Sequence, residues 1–408
     1  MKVLNKIEAD FNDIVASEND IIKNLRVENF GEFRKQGIPT SKEEFWKFTN
    51  PSIIKDSEFS LGTSSEITDN DFDIILVNGK LIKRNEKIVN KDIQNSLNDR
   101  IIDMTNFEKT DNPFINLNNA FSTEGCVINF SDNSEEEISI LNVVDNANSE
   151  QIIHPRIIIV AGKNSTISVL EKIRFLGDKN NLVNSVTNFH LSEGSSVEHV
   201  IIDDYSENTY QISNVIVKQK RDSTFSSYNY SNAKKLARRD FIVELKERGS
   251  HCDLRGVYLA DEKNHIDHHT IIEHEDEHCT SNELYKGILS GKSTAVFNGR
   301  IHVHDAAQKT DAIQSNQNLL LSDNAIIHTK PELEIYADDV KCTHGATIGQ
   351  LDEKGIFYLR ARGIKREDAQ KMMMRAYIGE VLKGMKHKKA KEILLEKIID
   401  NIPYGDWW

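Results

Sequence analysis

The sequence predicts a mainly β protein, a β-solenoid flanked by helical regions. Between about Gly125 and Leu351, short runs rich in β-branched residues alternate with small turn clusters, without a helical pattern between them. Most successive turn clusters lie about 27 to 32 residues apart. This spacing is typical of a solenoid, in which each coil packs only on its neighbours. A β-sandwich would have similar strands, but its turns usually recur about every 8 to 12 residues.

The individual strands and turns define the extent of the predicted core. The clearest predicted strands cover residues 156–160, 185–190, 214–217 and 241–245. Turn clusters with Gly, Ser, Asn or Asp cover residues 162–165, 193–196, 248–250 and 291–293. The sequence therefore predicts a β-helix core over residues 123–362.

The N-terminal region, residues 1–122, is predicted to be helical and mixed. An apolar helix face near its start contains Ile7, Phe11, Ile14 and Val15. Residues 41–44 fit a capping box, which predicts another helix from Phe45 onwards. A short strand is predicted at residues 74–77, before an Asn-Gly turn.

The C-terminal region, residues 363–408, is also predicted to be helical. One apolar stripe consists of Ala369, Met372, Met373, Ala376 and Tyr377, and a second consists of Ala390, Ile393, Leu394 and Ile398. Helices at this point would either cap the end of the solenoid or form a docking surface for a partner protein. The sequence leaves both roles open.

Composition excludes several classes of function. The net charge is −13 and the isoelectric point is about 5.6, so the clustered basic surface that nucleic-acid binding needs is not expected. No apolar stretch approaches the roughly 20 residues that span a bilayer, and the N-terminus lacks a signal-peptide pattern. We therefore expect a cytoplasmic protein. Its scattered cysteines are expected to be reduced thiols, and they are Cys126, Cys252, Cys279 and Cys342.

Two common enzyme chemistries find no support in the sequence. Residues 290–293 contain the Gly-Lys-Ser end of a phosphate-binding loop, but the upstream glycine of that motif is missing. The carboxylates show no general acid–base arrangement of the kind that polysaccharide-cleaving enzymes use. If ATP hydrolysis is involved, we expect a partner chain to perform it.

Cys342 and His344 form the strongest candidate site. In an extended strand, residues i and i+2 point to the same face, so the thiol and the imidazole would project side by side. Such a pair can hold iron or zinc, but a closed metal site usually needs four ligands. The remaining ligands would then come from elsewhere in the fold or from another chain. A purely structural role, a small buried cysteine beside a hydrogen-bonded histidine, remains open at this stage.

A second candidate is a group of six residues that we call the His265–Cys279 cluster. It contains His265, His268, His269, His274, His278 and Cys279. On a helix, histidines with these spacings could bind zinc together. The segment is predicted to be a strand, however, and the alternation of a strand places neighbouring histidines on opposite faces. A metal site and a ladder of structural polar residues both remain open.

A set of sequence blocks near the C-terminal end resembles the SufB/SufD family of iron–sulfur cluster assembly proteins. The blocks are YKGIL at 285–289, AVFNGRI at 295–301, AQKTDA at 307–312, QSN at 314–316, LLLS at 319–322, PELEI at 331–335, ADDVKCTHGAT at 337–347 and FYLRARGI at 357–364. GIPTSKEEFWK at 37–47 also resembles an N-terminal motif of the SufD branch. The form Cys-x-His-Gly-Ala-Thr is similar to SufD rather than SufB.

The resemblance implies a fold, partners and ligands. The family fold is a right-handed parallel β-helix between helical regions. The implied role is that of a non-enzymatic scaffold that pairs with SufB and binds the ATPase SufC through the C-terminal helices. A nascent cluster would form at the SufB–SufD interface as a transient cargo. His344 matches the family's histidine ligand, and Cys342 is a candidate ligand.

The resemblance also raises the question of flavin binding, and two alternative functions remain open. The family complex is associated with reduced flavin, but this chain has no recognisable flavin motif or nucleotide site. One alternative is a SufB-like scaffold that works as a homodimer. The sequence also leaves open whether the isolated chain forms a homodimer. The other is a self-sufficient metal-binding solenoid that uses the His265–Cys279 cluster.

Overall fold

A computed structural model describes residues 2–16, 20–55, 57, 59–62, 67, 69–85, 89–98, 101–122, 125–203, 208–232 and 235–402. Residue 123, the start of the predicted core, and residues 403–408, the end of the predicted C-terminal region, lie outside these described residues.

Helices flank a long series of strands. The α-helices are α1 (Lys2–Ala16), α2 (Asp20–Gln36), α3 (Ile93–Asn98), α4 (Pro113–Phe121), α5 (Glu353–Arg360), α6 (Arg366–Gly379) and α7 (Lys388–Asn401). Single 3-10 turns occur at Glu44–Trp46, Pro51–Ile54 and Met104–Phe107. Within the described residues, no helix is both long and apolar enough to cross a membrane.

The strands follow one another from the N-terminal region to the last coil. The first ten are β1 (Ser60–Leu61), β2 (Ile74–Val77), β3 (Lys80–Lys83), β4 (Val89–Lys91), β5 (Cys126–Asn129), β6 (Glu135–Val144), β7 (Gln151–Ile153), β8 (Arg156–Ala161), β9 (Thr166–Phe175) and β10 (Asn181–Leu191). The others are β11 (Ser196–Ile202), β12 (Thr209–Gln219), β13 (Thr224–Ser231), β14 (Leu236–Leu245), β15 (His251–Ala260), β16 (His265–His274), β17 (Thr280–Leu289), β18 (Thr294–Val303), β19 (Asp311–Leu320), β20 (Ile326–Ile335) and β21 (Lys341–Gly349).

Two sheets run along the solenoid. Sheet A contains the even-numbered strands from β8 to β20, and sheet B contains the odd-numbered strands from β9 to β21. Neighbouring strands within each of these series are parallel, and their partners lie one coil apart in sequence, as in Tyr210↔Leu236 and Thr294↔Ile326. This arrangement confirms the predicted parallel β-solenoid, because each coil adds one strand to each sheet.

The inward faces of both sheets form one continuous apolar core. Alternation along the strands places Ile201 in this core, while Val200 and Ile202 face the opposite side. Large tyrosines fill the core where a neighbouring coil has a glycine. A Cβ atom at Gly287 would overlap the ring of Tyr258 and would lie 2.6 Å from Asn318 Oδ1. The glycine in the neighbouring coil therefore leaves the space that the tyrosine ring occupies.

The N-terminal helices pack on the outer face of sheet A. Phe11 and Phe30 stack with ring centroids 4.0 Å apart, and they belong to an apolar cluster that also contains Leu182 and Ile212 of sheet A. Asn184 donates from Nδ2 to the carbonyl oxygen of Phe114 at 2.9 Å, which satisfies a buried polar group at this junction. The helical prediction for this region is confirmed for α1 and α2.

The predicted helix after residues 41–44 is wrong, because the chain forms only the 3-10 turn Glu44–Trp46. The backbone N–H of Thr40 donates to Glu43 Oε1 at 2.9 Å, so the contact joins residues 40 and 43 and not the predicted pair 41 and 44. Arg238 then holds the segment against the solenoid, with its guanidinium 3.8 Å from the centre of a Trp46 ring. Docking on sheet A thus overrides the local preference for a longer helix.

Helices α6 and α7 lie along the outer face of sheet B and do not cap the last coil. Their apolar residues pack with outward-facing residues of β9 to β19. Lys286 Nζ of β17 lies 2.6 Å from Glu380 Oε2, and Glu198 accepts hydrogen bonds from the backbone N–H groups of Lys386 and His387. The capping alternative is therefore wrong.

One of the two predicted helical stripes is also rotated. The buried side of α6 consists of Ala369, Gln370, Met374 and Ile378, whereas Met372 and Ala376 are exposed. The contact with sheet B decides which side is buried, and the sequence did not indicate that contact. The second stripe is confirmed, since Ala390, Leu394 and Ile398 of α7 are buried.

Candidate functional site at the last coil

Strands β20 and β21 form the last coil, and its inward face is uncovered. They are the terminal strands of sheets A and B in the described part of the chain. Ile348 of β21 is 53% exposed, and Ile335 of β20, the register partner of the core residue Val303, is 40% exposed. The solenoid therefore ends in an open coil with exposed strand edges.

Cys342 and His344 lie in the inward-facing column of this open coil. In sheet B, Cys342 pairs with Ala312, and His344 pairs with Gln314 of the coil below. Ala312 and Gln314 are buried, but His344 is exposed and Cys342 is half-buried because no further coil covers them. The side chains of Cys342 and His344 therefore project from the same face of β21, as predicted, and they lie at the end of the solenoid.

A polar column lies beneath His344. Glu283, Gln314 and His344 are register partners in three successive coils. Gln314 Nε2 donates to Glu283 Oε2 at 2.7 Å, and burial raises the pKa of Glu283 to about 7 despite the opposing hydrogen bonds from Thr270 and Gln314. Gln314 Oε1 has no hydrogen-bond partner among the described residues, so an acceptor atom remains one coil below His344.

The surroundings of Cys342 favour a protonated thiol until a cation binds. Burial, and to a smaller extent the negative charge of Asp311, raises the pKa of the Cys342 thiol. A thiol with a raised pKa is a weak nucleophile, but a bound metal ion displaces its proton directly. The pair is therefore better suited to metal binding than to nucleophilic catalysis.

The His265–Cys279 cluster does not come together, and its inward-facing members are structural. His268 lies between two aromatic rings, with ring centroids 5.4 Å from Tyr258 and 5.3 Å from Tyr285. His274 Nε2 lies 2.9 Å from Ser281 Oγ. Burial lowers the pKa of both histidines to about 3, so both are neutral at pH 7.

The other members of the cluster point in different directions and have other partners. His265 Nε2 lies 2.7 Å from Thr49 Oγ1, and His269 Nε2 lies 3.1 Å from Asp267 Oδ1. His278 occupies a turn with a φ of 58° and is exposed, while the buried Cys279 points its Sγ at the carbonyl oxygen of Glu247. Strand alternation and the turn separate the six residues, as the sequence argument anticipated.

The other cysteines are free thiols in the core. Cys126, Cys252 and Cys279 are buried, and burial raises the pKa of each thiol, to about 12 for Cys126. Buried thiols of this kind behave as small apolar side chains.

A further group of potential ligands was not predicted from the sequence. Among the described residues, one group of at least three His, Cys, Asp or Glu has its ligand atoms within 4.8 Å of one another, and it consists of Glu273, His302 and His304. The sequence contains a His-x-His spacing at the end of β18 and a glutamate one coil earlier. The sequence alone does not bring them together, because their proximity depends on the register between coils.

The chain matches a known family over the part that contains the open coil. Residues 143–377 match the family described as "SUF system FeS cluster assembly, SufBD core domain". This range begins in β6 and ends in α6, so it includes most of the solenoid, Cys342 and His344.

Three curated relatives are similar to this chain over about half to three fifths of their own length. The iron–sulfur cluster assembly protein SufD of Escherichia coli is 31% identical over 252 residues, which are 62% of this chain and 60% of the relative. A SufBD family protein of Synechocystis is 31% identical over 242 residues, 57% of this chain and 53% of the relative. The chloroplastic protein ABCI7 of Arabidopsis thaliana is 28% identical over 245 residues, 59% of this chain and 51% of the relative.

The match thus spans between about half and three fifths of each of these relatives. The parallel solenoid, the position of the open coil and the family match over more than half of the residues agree with one another. The chain belongs to the SufBD family of iron–sulfur cluster assembly proteins.

Proposed function

We propose that this chain is a SufD-like scaffold subunit of a cytoplasmic SUF assembly complex, without catalytic activity of its own. In this proposal it pairs with SufB, and a nascent iron–sulfur cluster forms at their interface. His344 supplies one iron ligand, and Cys342 is a candidate second ligand. The cluster is cargo that is built and passed on.

The exposure of His344 on the uncovered last coil is the observation that carries this proposal. A histidine inside the solenoid, such as His268, cannot share a metal with another chain because neighbouring rings enclose it. His344 has the same inward orientation, but no coil follows it. A nitrogen and a sulfur donor at an open end supply part of a four-ligand site, and a partner would supply the rest.

The edges of the last coil support pairing with SufB. Exposed strand edges with unpaired backbone groups bind other strands, and natural proteins usually protect them. Ile326 and Ile348 add exposed apolar surface at this end of the solenoid. A partner that covers both strands would bury these side chains and would bring its own ligands next to His344.

The C-terminal helices support a separate contact with the ATPase SufC. Helix α5 exposes Phe357 and Tyr358, and the guanidinium of Arg362 lies 3.4 Å from the Tyr358 ring centre. Aromatic and arginine side chains are enriched at the centres of protein interfaces. Because α6 is anchored to sheet B through Glu380 and Lys286, movement of a bound ATPase would be transmitted to the solenoid.

Cluster content of the assembled complex tests the ligand role. The chain is co-expressed with SufB and SufC and purified without oxygen, and iron and acid-labile sulfide are counted per complex. The variant His344→Ala should reduce both by at least about 10-fold, the loss typical of removing a residue that a metal site depends on. Thr343→Ala is the matched control, because Thr343 lies on the opposite face of the same strand.

Three outcomes separate this proposal from its alternatives. Undiminished cluster in an intact His344→Ala complex would remove the ligand role. A full cluster on this chain alone after anaerobic reconstitution would instead favour a SufB-like homodimer. Loss of complex formation in both His344→Ala and Thr343→Ala would show that β21 serves assembly rather than ligation.

A further inference from the structure

The group Glu273, His302 and His304 lies on the outer face of sheet A. Glu273 of β16 and His302 of β18 are register partners in adjacent parallel strands. Ile301 and Val303 face the core, so His302 faces outward, and His304 follows two residues later on the same side. The backbone N–H of His304 donates to the carbonyl oxygen of His274 at 3.0 Å, which continues the register one residue beyond β18.

The three side chains converge on one carboxylate oxygen. His302 Nδ1 lies 2.6 Å from Glu273 Oε2, and His304 Nε2 lies 3.0 Å from the same atom. Two ligands of a tetrahedral metal with bonds of about 2.0 to 2.1 Å are about 3.3 Å apart. Side-chain rotations that open these contacts by less than 1 Å would therefore accommodate a metal ion between the three atoms.

Neighbouring rings hold the two imidazoles in place. The rings of His302 and His304 lie with their centroids 4.2 Å apart, and Tyr336 approaches His302 edge-on at 5.4 Å. These contacts restrict rotation and so reduce the entropy lost when a metal binds. All three ligand side chains are partly exposed, so an ion can enter from solvent.

A change of side-chain rotamer at Glu334 would add a fourth ligand along the same column. Glu334 of β20 is the register partner of His302 on the side opposite Glu273. Its ion pair with Arg300 has a long N–O distance of 3.8 Å, so its carboxylate is not tightly held there. Water would complete the coordination if Glu334 keeps its present orientation.

The donor set decides the class of metal. Two imidazoles and one carboxylate suit zinc and ferrous iron, whereas calcium and magnesium prefer oxygen ligands alone. His302 and His304 fall between the sequence blocks at 295–301 and 307–312 that carry the family resemblance. The two histidines therefore lie outside the sequence blocks that carry the resemblance.

We propose that Glu273, His302 and His304 form a binding site for one divalent transition-metal ion, zinc or ferrous iron, on the outer face of sheet A. The site is separate from Cys342 and His344, which lie in the inward column of sheet B. It does not depend on the proposed function.

Equilibrium dialysis of the full chain, purified without a histidine tag and stripped with a chelator, tests this site. The chain is dialysed against micromolar Zn²⁺, and in parallel against Fe²⁺ without oxygen, and bound metal is counted by mass spectrometry. One ion per chain is expected for the wild type. Glu273→Gln, His302→Ala and His304→Ala should each weaken binding by at least about 10-fold.

Two control variants and one spectroscopic probe make the test specific. His278→Asn removes an exposed histidine elsewhere, and asparagine tolerates its positive φ. His344→Ala removes the proposed cluster ligand. Both should keep one ion, and Co²⁺ should give the visible absorption of a tetrahedral site in these variants but not in His302→Ala. Circular dichroism shows whether each variant is folded. If an alanine variant does not fold, metal binding by the isosteric variant Glu273→Gln decides the test.

Three results would overturn the inference. The first is a wild-type chain that retains no ion at micromolar metal. The second is a double variant, His302→Ala with His304→Ala, that binds as tightly as the wild type. The third is loss of the ion in His344→Ala alone, which would place the site at the last coil. Cluster content in the complex is measured separately, so failure here is distinguishable from failure of the proposed function.

Discussion

Buried ionisable side chains are the residues whose chemistry the solenoid changes most. Glu283 is enclosed two coils below the open end, where its carboxylate would lose hydration without gaining a cation. Its pKa is therefore raised to about 7. Burial keeps His268 and His274 neutral as well, but it lowers their pKa, because the charged form of histidine is a cation. Each of these groups makes the free energy of unfolding depend on pH.

Glu283→Gln should remove one part of that pH dependence. The folded carboxyl keeps its proton up to about pH 7, whereas the unfolded one loses it near 4.5. The folded wild type thus binds the extra proton, and its free energy of unfolding falls as the pH rises from 4.5 to 7, by roughly 3 kcal/mol from this group. Urea unfolding at several pH values should show that the free energy of unfolding of Glu283→Gln increases relative to that of the wild type across this range.

The exposed Glu262→Gln serves as the matched control and should follow the wild type at every pH. A constant difference between Glu283→Gln and the wild type from pH 4.5 to 8 would contradict the raised pKa. Buried histidines titrate below this range in the folded state and are present in both proteins, so they cancel in the comparison.

At the scale of the elements, neighbouring coils of sheet B fit together through large rings that pack against glycines. Tyr258 packs against Gly287, and Tyr285 packs against Gly256. Asn316 Nδ2 donates to the Tyr258 hydroxyl at 3.0 Å, so the buried ring also has a polar partner. Interiors packed to this density tolerate little additional volume.

Gly287→Ala should lower the free energy of unfolding by about 1 to 3 kcal/mol, the usual cost of overpacking a core. The new methyl group would collide with Tyr258 and would crowd Asn318, and both side chains are enclosed. Gly345→Ala is the matched control, since its methyl group would meet nothing within 4 Å. Equal denaturation midpoints for the two variants would contradict the packing described for the interior coils.

The elements that the sequence predicted well are those whose pattern is local. Strand content and coil length follow from β-branched runs and turn residues, and α1 and α7 follow from their apolar spacing. The turn at Glu44–Trp46 and the buried side of α6 were not predictable, because contacts with sheets A and B decide them. The side-by-side donors Cys342 and His344 were predictable from the period of a strand. The group Glu273, His302 and His304 was not, because it requires the register between coils.

At the scale of the whole molecule, the two ends of the solenoid differ. The N-terminal helices cover sheet A over the early coils, and α6 and α7 cover the outer face of sheet B. The last coil keeps an uncovered inward face with exposed apolar side chains and the candidate ligands Cys342 and His344. This asymmetry places the proposed partner interface at one end.

Charged residues on the open coil should prevent pairing without unfolding the chain. Ile326→Lys combined with Ile348→Lys places two cations where the proposed partner would bury apolar side chains, and such changes discourage edge pairing. Pull-down with SufB should show lost association, while circular dichroism of the isolated chain should be unchanged. The control is Leu176→Lys, because Leu176 is 47% exposed but lies beside the early strand β9. Undisturbed pairing of the double variant would place the interface elsewhere.

Pulsed electron paramagnetic resonance on a complex with one labelled subunit tests the central claim most directly. This chain is produced with ¹⁵N-labelled histidine, combined with unlabelled SufB and SufC, and loaded with a cluster that is then reduced to a paramagnetic state. The account predicts a strong ¹⁵N hyperfine coupling that disappears in His344→Ala and persists in Thr343→Ala. A fully formed cluster without ¹⁵N coupling, or with coupling that survives His344→Ala, would contradict it.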